Sequence, residues 1–171
     1  MLKIVPREED RRPIHLQASL FPHSDPNFLL LVTLPLKSGR EFMDLVEVSA
    51  PRLIVDLRGV PRFDFDTLNR RKVFEVFAKH NCTYIDAKRP MAPWSDGDQW
   101  LESFSKEKPL AAMKTGQLVG PFMFLFNQYA EMAAFEHFLR RELVSQASLQ
   151  WSFFLVAEQE EFAAKRFAKN P

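Results

Sequence analysis

The side chains best suited to chemistry gather in one short stretch, Asp56-Leu57-Arg58-Gly59-Val60-Pro61-Arg62-Phe63-Asp64, directly after the apolar run Leu53–Val55. Asp56 and Arg58, two residues apart, can accept and donate hydrogen bonds to a polar ligand. Arg58 and Arg62 can together grip a phosphate or carboxylate through their planar donor forks. The plainer reading of the same residues is an Asp56–Arg58 pair that pins the loop, and at the level of sequence both stay open. Asp64 and Asp66 offer oxygen ligands suited to a hard cation such as magnesium, although aspartates in this setting more often serve turns and helix caps. The block Asn69-Arg70-Arg71-Lys72 could meet an anion, but it falls within a predicted helix and reads most simply as the solvated face.

These groups need a frame, and the residues around them supply one. Leu53 to Leu57 has the apolar character of a buried strand. Asp66 or Thr67 is placed to cap a helix in which Val73, Val76, Phe77 and His80 recur at helical spacing, and Thr83 to Ile85 returns as a strand. That order, over residues 52–86, is a β-α-β unit, and it puts Asp56, Arg58, Arg62 and Asp64 at the strand end where open α/β sheets bind ligands.

The rest of the chain repeats the alternation. Phe28 to Leu34 is a strong strand, and Ser38 caps a helix over Gly39–Val48 that Pro51 ends. In Phe122–Phe126, Phe122, Phe124 and Phe126 alternate with Met123 and Leu125, so both faces are apolar, as a sheet covered by helices requires. A helix over Tyr129–Val144, with Met132, Phe135, Leu139 and Leu143 on one stripe, and a strand over Trp151–Ala157 follow, then a terminal helix over Glu158–Ala168. A short helix is expected over Gln99–Lys106, after the irregular loop Ala87–Asp98. Leu2 to Val5 suits an edge strand, and Ile14 to Phe21 could form another before the turn-rich Pro22–Asn27.

About five strands alternating with five helices predict a three-layer α/β/α sandwich with a mainly parallel, Rossmann-like sheet, and the length fits residues 1–171 as a single α/β domain. In such a sheet the loops Arg58–Phe65, Ala87–Asp98 and Asn127–Tyr129 converge on one edge, which adds Asn127 to the candidate ligand-binding residues. The 17 phenylalanines read as core rather than as a platform for stacking bases. Ile54, Leu125 and Phe154 are expected to be almost fully buried.

Composition and missing motifs exclude several classes. A net charge of +1 gives no global field for nucleic acid or an anionic membrane, so nucleic acid is disfavoured as a partner. No apolar run approaches the ~20 residues of a membrane span. The single cysteine, Cys82, cannot form an internal disulfide, and with no apolar leader the expected location is the cytoplasm. His15, His23, His80 and His137 lack metal-site spacing, so no metal is assigned. No glycine-rich phosphate loop, dinucleotide fingerprint or nucleophile elbow is present, so nucleotide binding by those routes is disfavoured and the cofactor stays unknown. Cys82 precedes its strand, away from the candidate edge, and reads as structural.

Asp56-Leu57-Arg58 followed by Pro61, with a helix opening near Leu68-Asn69 and a strand near Tyr84, resembles an uncharacterised family that carries a strand-terminal D-V-R-x-x-P motif and neighbours the rhodanese-like domains. The likeness runs from Arg52 to Asp86. It implies a polar pocket around Asp56, Arg58 and Arg62. Members carry a cysteine after a later strand; this chain has Asn127 there, a departure that removes sulfur transfer.

Two function classes follow. The first is a non-enzymatic binding or protein-interaction module, with exposed Arg and the loop tryptophans Trp94 and Trp100 as anchors. The second is an enzyme or sensor that binds a small anionic ligand, such as a nucleotide, at Arg58–Phe65. The first is preferred because no activated nucleophile, base or metal cluster can be named.

Overall fold

The chain runs through alternating strands and helices: β1 (Lys3–Ile4), β2 (Phe28–Thr33), α1 (Gly39–Ser49), β3 (Leu53–Asp56), α2 (Arg70–Lys79), β4 (Thr83–Asp86), α3 (Lys108–Lys114), β5 (Phe122–Phe126), α4 (Tyr129–Val144) and β6 (Ser152–Ala157). This computed structural model describes residues 3–4, 27–34, 36, 38–64, 68–87, 108–144 and 150–157. The strands form one six-stranded sheet in the order β1-β6-β2-β5-β3-β4. β2 to β6 are parallel, and β1 joins the edge antiparallel to β6.

Strand alternation sorts the core into two layers. Leu30, Val32, Ile54, Met123 and Leu125 point toward α1 and α2, where Phe42, Val73 and Phe77 meet them. Leu29, Leu31, Val55, Phe122, Phe124 and Phe126 point the other way, toward Leu110 and Met113 of α3 and Met132, Phe135 and Leu139 of α4. The result is the three-layer, Rossmann-like α/β/α sandwich. β2 and β5, the central strands, are buried along their whole length, which is why their sequences are apolar without alternation.

α1 begins where Ser38 Oγ accepts a hydrogen bond from the Glu41 N–H at 3.2 Å. It ends at Ala50, whose left-handed backbone, φ 40°, lets its N–H reach the Val46 carbonyl at 2.9 Å before Pro51.

Three expectations need correction. The cap of α2 is Asn69, not Asp66 or Thr67: its backbone is extended and its Oδ1 accepts from the Lys72 N–H at 3.0 Å. The sequence offers several capping residue types in a row, and their side chains alone do not choose among them. α3 was not expected. Its seven residues bury Leu110 and Met113, too short a stretch to show a helical period. Phe154 is only half-buried, because β6 has just the two-residue β1 on its outer side among the described residues, whereas Ile54 and Leu125 are fully buried. The expected elements at Ile14–Phe21, Gln99–Lys106 and Glu158–Ala168, and the loop from 88 to 98, lie outside the described residues. Among the described residues no helix is long and apolar enough to cross a membrane.

Candidate functional site

On β3, Leu53 and Val55 face α3 and α4 while Ile54 faces α1 and α2, so alternation carries Asp56 onto the α1/α2 side at the strand's carboxyl end. Asp56 is fully buried, and Arg58 retains 4% exposure. Their pairing is two-pronged: Asp56 Oδ1 accepts from Arg58 Nε at 2.9 Å and Oδ2 from Arg58 Nη2 at 2.7 Å. The same carboxylate also accepts the Arg58 backbone N–H at 3.1 Å on Oδ1 and the Tyr84 hydroxyl at 2.9 Å on Oδ2.

Two ions this deep carry a desolvation penalty of several kcal/mol each, roughly, and such a pair persists only when the remaining polar atoms are also engaged. Here they are. Arg58 Nη1 donates to the Arg62 carbonyl at 2.7 Å, so each of the three guanidinium nitrogens has an acceptor within the chain. The guanidinium plane also sits over the Phe63 ring, 4.6 Å from its centroid.

Phe63 anchors the loop in the core. Fully buried, it packs against Phe42, Phe74, Phe77 and Tyr84 with ring centroids 5.8 to 6.0 Å away. From outside, Arg70 Nη1 donates to the Pro61 carbonyl at 3.3 Å while its guanidinium covers Phe74 at 5.0 Å. The loop from 57 to 64 is thus closed at its base by Arg58, plugged by Phe63 and braced from the start of α2.

Burial, then the Asp56 charge and the hydrogen bond to it, push the Tyr84 hydroxyl far above the usual tyrosine range. It therefore stays a proton donor to Asp56 at any physiological pH. Burial also raises the Cys82 thiol, whose Sγ lies 3.9 Å from the His80 carbonyl, so a thiol rather than a thiolate stands there at neutral pH.

The other sequence-selected residues lie as follows. Arg62 and Asp64 are exposed; Arg62 contributes its carbonyl to Arg58, and its side chain makes no hydrogen bond or ion pair with another described residue. Asn127 is exposed just beyond β5, and its N–H donates to Glu131 Oε2 at 3.3 Å. The ends of β2, β5 and β3 do meet on one edge, stitched by Leu34 N–H to the Phe126 carbonyl at 2.8 Å and Leu57 N–H to the Leu125 carbonyl at 2.9 Å. Of the Ala87–Asp98 loop only Ala87 is described, and its N–H bonds the Asp56 carbonyl at 3.1 Å. Asp66, Trp94 and Trp100 lie outside the described residues. Among the described residues no three His, Cys, Asp or Glu side chains are grouped so as to hold a metal ion.

Sequence reasoning passed over Tyr84 and Phe63. A signal existed for the first: a chain with 17 phenylalanines and 2 tyrosines spends a hydroxyl only where an acceptor needs it. Phe63 gave none, since one more phenylalanine in a loop does not announce that the loop folds inward. Compared with protein-family models, curated protein sequences and solved structures, the chain matches none of them.

Proposed function

We propose that the chain is a binding module for a protein partner, with the outer rim of the 57–64 loop as its recognition surface. The observation that carries this reading is the internal engagement of Arg58: the polar chemistry at the strand end holds the loop and leaves Val60, Arg62 and Asp64 facing out. Val60 is 45% exposed, a large apolar side chain set beside an exposed arginine on a loop fixed from three sides. A loop ordered in advance loses little entropy on binding, and arginines are frequent anchors of interfaces. The protonated Cys82 and Tyr84 support a binding role, because neither offers a nucleophile or base at neutral pH.

Arg62 favours a second reading, in which the rim takes a small anion such as a nucleotide phosphate, because its guanidinium is unpaired among the described residues. Position-specific crosslinking separates the two. A photoreactive phenylalanine analogue replacing Val60 in the cell should form a discrete adduct with one protein, and the same analogue at the exposed Ala78, at the far end of α2, should not. Equal labelling from both positions, or none, would remove the interaction reading. Saturable binding of nucleotide that Arg62→Ala abolishes would establish the other.

A further inference from the structure

We infer that recognition at the rim is controlled from β4: the Tyr84 hydroxyl, acting through Asp56 and Arg58, fixes the rim only while β4 is docked on β3. The inference rests on the reading of the rim as a recognition surface and names its regulation. Its structural basis is an unbroken chain of hydrogen bonds. Tyr84 Oη donates to Asp56 Oδ2 at 2.9 Å, Arg58 Nη2 donates to the same oxygen at 2.7 Å, and Arg58 Nη1 donates to the Arg62 carbonyl at 2.7 Å. A carboxylate oxygen clamped between two donors is fixed in place, so the hydroxyl sets the plane of Asp56 and with it the seat of the Arg58 fork. The Tyr84 ring adds a second link, with its centroid 5.8 Å from that of Phe63, the residue that plugs the loop.

β4 is the strand best placed to let go. It ends the sheet order and, unlike β2, β3, β5 and β6, has no buried residue: Thr83 and Asp86 are exposed, Tyr84 and Ile85 half-buried. Local opening draws on the segments that bury least, so β4 opens before the strands it borders. Opening carries the Tyr84 hydroxyl and ring away together, and the loop loses both links at once. A partner that needs Val60 and Arg62 in fixed positions therefore selects the docked state, and by linkage its binding must slow the opening of β4. Tyr84 is thus a positioning residue, set on a different strand from the surface it controls.

The test is native-state hydrogen exchange on the full chain, with crosslinking from position 60 as its second arm. The Arg58 amide reports the loop, since it bonds Asp56 Oδ1, and the Thr83 amide, bonded to the Arg52 carbonyl, reports β4. Tyr84→Phe keeps the ring and removes the hydroxyl, and it should speed exchange of the Arg58 amide roughly tenfold. Phe135→Leu, which lowers stability from the opposite face of the sheet, should leave that amide unmoved. Thr83→Gly loosens β4 at an exposed position and should speed both amides; added to Tyr84→Phe, it should change the Arg58 amide little further. The crosslink from position 60 should weaken in Tyr84→Phe, because a smaller fraction of the chain then holds the rim ready. An Arg58 amide that ignores Tyr84→Phe, responds equally to Phe135→Leu, or takes the full Thr83→Gly effect in the combined variant would overturn the coupling. A crosslink undiminished in Tyr84→Phe overturns the control of recognition and leaves the rim standing. Absence of that crosslink in the otherwise unaltered chain removes the rim itself, and this inference with it.

Discussion

The two faces of the sheet are covered by different chemistry. Against α3 and α4 the packing centres on an aromatic cluster: Phe135 sits 5.2 Å from Phe124, 5.4 Å from Phe126 and 5.9 Å from Phe138 between ring centroids. Ion pairs flank that layer. Lys114 pairs with Glu142, and Arg140 bonds Glu136 at 2.8 Å while covering Phe153 at 4.2 Å. Against α1 and α2 a charged pair stands inside the aromatic layer, since Asp56 and Arg58 are both buried beside Phe63 and Tyr84. The second arrangement is the harder to stabilise, as buried ion pairs are often no better than apolar substitutes. What it adds is position. An apolar contact tolerates sliding, whereas five directed bonds on two residues fix where the loop leaves the sheet.

The largest expected effects compare the two faces directly. Asp56→Ala leaves the Arg58 charge buried without its partner and should lower stability by about 3–5 kcal/mol. Phe135→Ala should cost a similar amount, about 3–5 kcal/mol, through lost transfer energy and a cavity. Chemical denaturation will not separate these singles, but a second substitution will. Arg58→Met added to Asp56→Leu should recover most of the loss, and hydrogen exchange in residues 57–64 should nonetheless quicken because the directed bonds are gone. If the double variant remains as unstable as Asp56→Ala, the pair is a net source of stability and the contrast between faces fails.

A smaller effect isolates the tyrosine. Tyr84→Phe removes a hydrogen bond to a charged group and should cost about 1.5–3 kcal/mol at neutral pH. Because the folded hydroxyl holds its proton far above the unfolded value near pH 10, the folded state binds more protons there, and stability should fall as pH rises above about 10. That alkaline loss should be reduced in Tyr84→Phe. Equal alkaline profiles for the two proteins would show that the hydroxyl is not held by Asp56.

The smallest effect belongs to the rim of the other face. The hydrogen bond from Lys114 holds the Glu142 carboxyl below the usual carboxylate range, so its contribution is present above that range and is lost as pH falls through the folded value. At neutral pH Lys114→Ala should cost less than about 1 kcal/mol, as partly exposed pairs do, and the difference should vanish in acid once the pH has fallen through the lowered folded value. A loss as large as that of Asp56→Ala would mean that this ion pair, too, sets structure.

The division between what the residues disclosed and what they hid follows the reach of each interaction. β2, β3, β5 and β6 and the helices α1 and α4 could be read because their apolar spacing is local and long enough to show a period. The edge on which Asp56, Arg62 and Asn127 lie was legible from alternation of elements alone. Whether Asp56 and Arg58 turn to a ligand or to each other was not, since it depends on Tyr84, 28 positions away, arriving opposite Ile54 when β3 and β4 pair. The inward fold of Phe63 was hidden for the same reason: its partners lie on α1, α2 and β4.

β5 lies between β2 and β3, pairing Leu29 and Leu53 with the same Phe122. The chain lays down β2, α1, β3, α2 and β4 before the strand that joins β2 to β3 exists. During synthesis, therefore, the first half emerges with an unfilled slot at its centre and two apolar strand edges on either side of it. Closure waits for residues 122–126, so loop-closure entropy rather than local helix formation should set the folding rate, and a nascent chain stalled short of Phe122 exposes the pairing edges on which aggregation starts.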